Sequence, residues 1–384
     1  MVDRAFSSLA LLVFARSQKS LLAAKEASTS YQRLLKDMQS RILQISRGNI
    51  GQTDSDEILL TIYFMARYES VVQQDGDSTK LMESMKVWSH FDGVAAILRL
   101  WHDDCDRTAP SSIVKLARRT VVKSSLLRER QIPQWLRGGE RFGEKGLALE
   151  FDRLAVRTIA LRQECVQLER KCDDGSPAAS TFEHLSCEAI KIGQALHDWV
   201  QHFPRKWEYN EYKIEGVSAD ELWSPAVSTC TRHGYAAVWT EYYSIRMLLM
   251  NAPLQTLDAA CPRSTLEPTS MRIQSRSERL ACEAELNAAS DSLASLIPFC
   301  LGRIRAHDTL TTTPNKATAE LELSHGSIEP YLANLVVWPL SIAASLQHLD
   351  VARREWFRSW LSRISSSSCE CLVAYAMSDY WTVL

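Results

Sequence analysis

The 384 residues carry 44 Lys and Arg against 46 Asp and Glu, a net charge of -2, so the chain lacks the cationic excess that drives sequence-independent binding to nucleic acid. Its length allows a large core, in one helical domain or in two that are not sharply separated, and stability needs no staple. The ten cysteines are scattered, and most sit in apolar helical patterns where a thiol acts as a small hydrophobe, which reads as a reduced, intracellular protein.

The apolar stretch from Leu9 to Phe14 is short, has no small-residue cleavage site and runs into a longer amphipathic segment, so it is not read as a signal peptide. Phe6, Leu9, Ala10 and Val13 mark a first helix. Tyr31, Leu34, Leu35, Met38, Ile42 and Ile45 mark a second, which Gly48 stops, and the two can run on as one. Thr53 to Glu57 offers hydroxyls and carboxylates to the orphan amides of a helix start, and Ile58, Leu59, Ile62, Met65 and Ala66 follow at helical spacing. After Gly76 and Asp77, the stripe Leu81, Met85, Trp88, Phe91, Ala95 and Leu98 predicts another helix ending near Asp103, and Pro110-Ser111-Ser112 begins the next.

Glycines and Ile132-Pro133 make residues 131–146 the most loop-like part of the first half, where the helices divide into two groups and the chain could be subdivided. Segments 147–172 and 179–203 are expected as an antiparallel helical pair, followed by a polar connector, 204–221, rich in Trp and Tyr. Helix is expected from about Leu222 to Met250, a loop from Pro253 to Pro268, and helix again over 270–304. Residues 306–326 are expected as a mobile loop, with helices at 328–347, 350–366 and 369–378. Strand signals are almost absent, and the apolar run from Tyr331 to Leu346 is broken by Pro339 and short of the roughly 20 residues of a membrane span. The fold class read from this pattern is all-α, an irregular bundle of antiparallel helices.

A search for reactive constellations finds none. Gly139-Glu140-Arg141-Phe142-Gly143-Glu144-Lys145 resembles a phosphate-binding loop only in outline, since no Ser or Thr follows the lysine and no strand precedes it. The Gly-x-Ser-x-Gly and His-Glu-x-x-His patterns are missing. Cys369 and Cys371 point to different helix faces, and His197 and His202 are five apart where a helical metal pair prefers three or four. Arg118-Arg119 and Arg353-Arg354 read as solvated helix faces. No catalytic, cofactor-binding or metal-ligating residue is therefore assigned. Most of the eleven tryptophans should be core, while Trp207, Trp223 and Tyr209, in or beside the connector, are candidates for a ligand or partner surface.

Several patterns, in order, resemble the middle homology region of the fungal zinc binuclear cluster transcription factors. They are Ala27 to Leu35 with its Tyr31; Asp56 to Tyr68-Glu69; Trp88-Ser89-His90 through Leu98; Arg119 to Leu126 followed by Ile132-Pro133-Gln134-Trp135-Leu136; Ala237-Val238-Trp239-Thr240-Glu241-Tyr242-Tyr243 to Arg246; and Tyr331 to Trp338-Pro339-Leu340. Together they span nearly the whole chain. The family's six-cysteine, two-zinc module does not occur here, so its DNA-reading helix is not carried over.

The resemblance implies a nuclear transcriptional regulator, not an enzyme, that controls genes such as a secondary-metabolite cluster. Its partners would be proteins, for dimerisation, as a DNA-binding co-regulator or as a coactivator, with DNA reached only indirectly or through a missing N-terminal module, no membrane, and a small-molecule effector left open. Two other classes stay open on the residues alone: a helical small-molecule-binding or accessory protein, and a scaffold that does not bind DNA.

Overall fold

The computed structural model describes residues 1–45, 52–73, 86–103, 109–127, 130–174, 179–214, 216–260, 269–307, 320–323, 326 and 328–365. Among these lie eleven α-helices, three short 3-10 turns and two two-stranded hairpins, an all-α, multi-helix architecture. The chain divides into two compact units, Met1–Arg153 and Leu154–Ser368, with the division falling inside one long helix.

The first unit opens with α1 (Val2–Ser17) and α2 (Leu21–Ile45), two separate helices joined by a turn. Ser20 N–H donates to the Ala15 carbonyl and Lys19 N–H to that of Arg16, with Lys19 left-handed at φ 52°; this is a Schellman-type stop in which a lysine stands where glycine is usual. Ser20 Oγ then accepts from Ala23 N–H at 3.3 Å and caps α2. The buried face of α2 (Ala27, Tyr31, Leu34, Met38, Ile45) follows the expected periodicity, although Ile42 lies outside it and is exposed. In α1 the expected face is the wrong one: Ala5, Ser8, Leu12 and Ala15 are buried, while Phe6, Ala10 and Val13 face solvent. Small side chains let α1 lie close on α2 and α3 (Gln52–Gln73), which larger rings would hold apart.

The helices α4 (Lys86–Asp103) and α5 (Ser112–Leu127) complete this unit around Ile58, Leu98, Trp101 and Leu126, each core side chain of that size contributing roughly 1.5–3 kcal/mol on burial. The segment read as most loop-like is instead compact. It forms 3-10 turns at Gln134–Leu136 and Gly139–Phe142, and Ile132, Leu136, Gly139, Phe142 and Glu144 are buried. Helix α6 (Gly146–Asp174) follows and carries the division between the units.

In the second unit, the remainder of α6 is joined to α7 (Ala179–Gln201) by Arg157 Nη2 on Glu188 Oε1 at 2.7 Å. The connector expected at 204–221 holds a 3-10 turn at Arg205–Trp207 and a strand, β1 (Tyr209–Lys213). That strand pairs antiparallel with β2 (Ala226–Cys230), Tyr209 opposite Cys230 and Lys213 opposite Ala226, where helix was expected. The pair is too short, and on β1 too polar, to show two-residue alternation. Helix α8 (His233–Ala260) runs through Pro253, past the expected end at Met250. A proline inside a helix costs about 3 kcal/mol, and here complete burial of Leu248, Leu249, Ala252 and Leu254 offsets it.

The long helix α9 (Thr269–Cys300) packs along α8, and α10 (Pro330–Ser345) lies on both, with α11 (Val351–Ser365) on α10. The expected mobile loop has strands at its ends: β3 (Ile304–His307) and β4 (Glu320–Leu323) pair antiparallel. The helix expected at 369–378 lies outside the described residues. No helix among the described residues is long and apolar enough to cross a membrane.

Candidate functional site

Three helices of the first unit meet at a polar node. Tyr31 comes from the buried face of α2, Glu69 from the last turns of α3 and His90 from the second turn of α4. Tyr31 Oη donates to Glu69 Oε1 at 2.6 Å, and His90 Nε2 lies 2.9 Å from Glu69 Oε2. An ionised carboxylate only accepts, so Nε2 is the protonated nitrogen of His90. The side chains of His90 and Glu69 are only 12% and 17% exposed, so little water competes for the pair and it is stronger than a surface contact. The Tyr31 ring stacks on Tyr68 at 4.0 Å and 9°. Burial, and then the hydrogen bond to Glu69, push the Tyr31 phenol far above its ordinary value, which keeps it a donor.

A second node ties α5 to the 3-10 turns and to the start of α6. Arg118 was read as part of a solvated face, yet it is fully buried. Its Nε donates to the Leu136 carbonyl at 3.0 Å, Nη1 to Asp152 Oδ1 at 2.5 Å, and Nη2 to Asp152 Oδ2 at 2.9 Å and the Arg137 carbonyl at 3.2 Å. The guanidinium also lies over the Phe142 ring at 5.4 Å. Such a fork of planar donors is what arginine offers and lysine cannot. Burial raises the Asp152 carboxyl above its ordinary value against the pull of Arg118, so this pair sits where its desolvation matters. Beside it Arg119, itself half exposed, donates twice to Glu144 at 2.6 Å, and that carboxylate is almost fully buried.

Glycine at 139 is required by this arrangement, because a Cβ there would stand 2.2 Å from Asp152 Oδ2 and 3.0 Å from Glu144 Cγ. The resemblance to a phosphate loop does not extend to geometry. Gly143 N–H donates to the Glu140 carbonyl and Glu144 N–H to that of Gly139, so these amides close the turn and do not converge on an anion.

In the second unit, Trp207 and Tyr209 join an aromatic cluster with Phe203, Tyr235, Trp239 and Tyr243. Trp239 Nε1 donates to the Trp207 carbonyl at 2.7 Å, and the Tyr209 and Tyr243 hydroxyls lie 2.9 Å apart. Trp223 sits elsewhere: its Nε1 donates to Asp291 Oδ1 at 3.0 Å, and Arg353 covers its ring at 5.5 Å while also bonding Asp291 and Ser290. All three expected candidates are thus engaged in packing between elements of this unit, and Arg353, read as part of a solvated face, is partly buried with its guanidinium held by Asp291 and Ser290.

His348 spans two turns of α8, with Nδ1 2.9 Å from Asn251 Oδ1 and Nε2 2.6 Å from Asp258 Oδ2. Burial raises the Asp258 carboxyl, but the hydrogen bonds from His348 and Arg279 outweigh it and leave the group below its ordinary value. Sequence reasoning missed this node and the Arg118 node for one reason: partners 90 and 34 positions away carry no local signature.

The other residues singled out in the sequence do not assemble. His202 Nδ1 bonds the Asp198 carbonyl at 2.8 Å within its own helix turn, and His197 is exposed. Cys369 and Cys371 lie outside the described residues. Burial pushes the Cys230 thiol up to about 11 and raises that of Cys300 as well, so neither is a ready nucleophile. Among the described residues, no group of three or more His, Cys, Asp or Glu is placed to hold a metal ion. Comparison with known proteins finds no matching family model, no significantly similar curated protein and no significantly similar solved structure.

Proposed function

We propose that the chain is a transcriptional regulator, the helical regulatory region of a protein of the zinc binuclear cluster kind, acting in the nucleus through protein partners and reaching DNA indirectly or through a zinc module outside this sequence. One observation supports this reading. Three patterns that resemble the family separately, at Tyr31, at Tyr68-Glu69 and at His90, contribute the members of one hydrogen-bonded node. The residues that carry these separate likenesses hold three helices together. The fourth pattern behaves similarly, since the helix with Arg119 and the Pro133 to Leu136 turn are joined by the Arg118 bond to the Leu136 carbonyl.

In this reading the chain reads no DNA sequence itself. It contributes a stable helical body that a DNA-binding co-regulator or a second subunit carries to a promoter, with a secondary-metabolite gene cluster as the kind of target. Fusing the chain to a heterologous DNA-binding module upstream of a reporter tests it. Transcription that rises or falls relative to the module alone is expected, and an unchanged reporter under every inducing condition tried overturns it.

A further inference from the structure

We propose that β1 is a dimerisation edge, on which a second copy of this chain pairs its own β1 antiparallel about a two-fold axis at Tyr212. Along an antiparallel pair, residues whose N–H and C=O bond the neighbouring strand alternate with residues whose N–H and C=O point away from it. Ile214 N–H donates to the Pro225 carbonyl at 2.9 Å, one step past the Lys213–Ala226 pair. Asn210, Tyr212 and Ile214 therefore turn their backbone groups to β2, and Tyr209, Glu211 and Lys213 turn theirs outward. Among the described residues the sheet has no third strand, and those outward groups meet no backbone partner.

Open edges are commonly blunted by a proline, a bulge or a lone charge. Over its five residues β1 has no proline, and its register with β2 is unbroken. Its charges do not stand alone either. Glu211 and Lys213, both exposed, are two residues apart and so share one side of the strand, with the partly buried Tyr212 on the other. Among the described residues neither charge has an ion-pair partner, and Tyr212 has no ring contact and no partner for its hydroxyl.

The side chains select the occupant and the register. Outward amides can pair only with outward carbonyls, so a second copy can centre on Asn210, Glu211, Tyr212 or Lys213. Centring on Glu211 or on Lys213 sets that residue against itself, like charge on like, and centring on Asn210 leaves Lys213 unmatched. Centring on Tyr212 sets Glu211 opposite Lys213 of the second copy and Lys213 opposite its Glu211, two hydrogen-bonded pairs of opposite charge. The two Tyr212 rings then meet across the axis at the closer, non-hydrogen-bonded position. Glu208, the charge just before the strand, falls opposite Gly216 in this register and meets no like charge there. A foreign strand would have to repeat the order Glu-Tyr-Lys, whereas a second copy carries it already, as a contact between identical surfaces requires.

This contact does not depend on the transcriptional reading; where that reading holds, it supplies the second subunit. An edge this short buries less than the roughly 1,200 Å² of a stable interface, so the dimer is weak, with dissociation at roughly tens of micromolar. Analytical ultracentrifugation of the full chain from about 2 to 200 µM tests it, and a monomer–dimer equilibrium is expected in that range. Glu211→Lys alone, or Lys213→Glu alone, sets like charges opposite each other twice and should weaken association about tenfold or more. Mixing the two single variants restores opposite charges at both pairs, so they should associate with each other about as tightly as the unaltered chain does with itself. Glu211→Pro removes an outward N–H and no bond to β2; it should abolish the dimer while far-UV circular dichroism and melting temperature stay close to those of the unaltered chain.

Three results overturn the inference. One is a chain that stays monomeric over the whole range. Another is a dimer that survives Glu211→Pro, which places the contact elsewhere on the molecule. The third is a pair of single charge variants that associate no better mixed than apart, which removes the register and the proposal with it. A silent reporter beside a dimer that follows these variants would sink the transcriptional reading alone.

Discussion

Replacing Gly139 by alanine tests whether the Arg118–Asp152 node is rigid. The new Cβ would lie 2.2 Å from Asp152 Oδ2 and 3.0 Å from Glu144 Cγ, closer than real contacts allow. A carboxylate free to swing would make this cheap, but Asp152 is held by two bonds from a fully buried guanidinium, at 2.5 and 2.9 Å, and Glu144 by two bonds from Arg119. Yielding therefore means either overpacking, about 1–3 kcal/mol, or opening the buried pair, about 3–5 kcal/mol. The expected cost of Gly139→Ala is the lesser route or a mixture, roughly 2–4 kcal/mol.

The control is the same change in an Asp152→Ala background. Asp152→Ala strands a buried arginine and should itself cost about 3–5 kcal/mol, but it removes the group the Cβ strikes, so the added penalty of Gly139→Ala should fall to about 1 kcal/mol or less. Urea denaturation gives the totals, and hydrogen exchange over residues 132–152 places the loss in the first unit, which matters because two compact units need not unfold as one. Penalties that simply add, or a harmless Gly139→Ala, would refute the reasoning.

At the first node, Glu69→Ala leaves the Tyr31 hydroxyl and His90 without their acceptor and should cost about 2–3 kcal/mol by denaturation, whereas Glu69→Gln keeps an acceptor and should cost less. Tyr31 and Tyr243, and to a lesser degree Tyr68 and Tyr242, are raised above the ordinary phenol value of 10.0. A phenol raised in the folded state favours folding fully below pH 10.0 and loses that contribution as pH climbs past it, so absorbance near 295 nm should show these four ionising only with alkaline unfolding. Lys19→Gly should stabilise the α1–α2 turn by about 1 kcal/mol, read as a higher melting temperature, because φ 52° suits glycine better than lysine.

The all-α class was legible because it rests on period and composition, and α2 shows how far that reaches: of its six expected apolar positions Tyr31, Leu34, Met38 and Ile45 are buried, Leu35 is partly buried and Ile42 is exposed. Period alone could not choose between two apolar faces, and in α1 the smaller residues won because close approach to two neighbouring helices outweighed the transfer of phenylalanine rings. Pro253 failed as a stop signal since the tertiary burial on either side of it exceeds the cost of one missing bond. The hairpins at Tyr209–Lys213 with Ala226–Cys230 and at Ile304–His307 with Glu320–Leu323 are four or five residues long, below what alternation can reveal.

Charged residues were the hardest to place. Arg118 and Arg119 are adjacent and chemically alike, yet one is fully buried and the other half exposed, a difference set by Asp152, by two backbone carbonyls and by a glycine without a Cβ to block them. The node of Tyr31, Glu69 and His90 was half legible: each residue stood in a noted pattern, while their meeting required the fold.

Chromatin immunoprecipitation of the tagged chain, joined to transcript profiling after its deletion, tests the central claim most directly. Enrichment at a limited set of promoters whose genes change expression on deletion is the predicted result. A chain excluded from the nucleus, with no promoter enrichment and no transcript change, would contradict it.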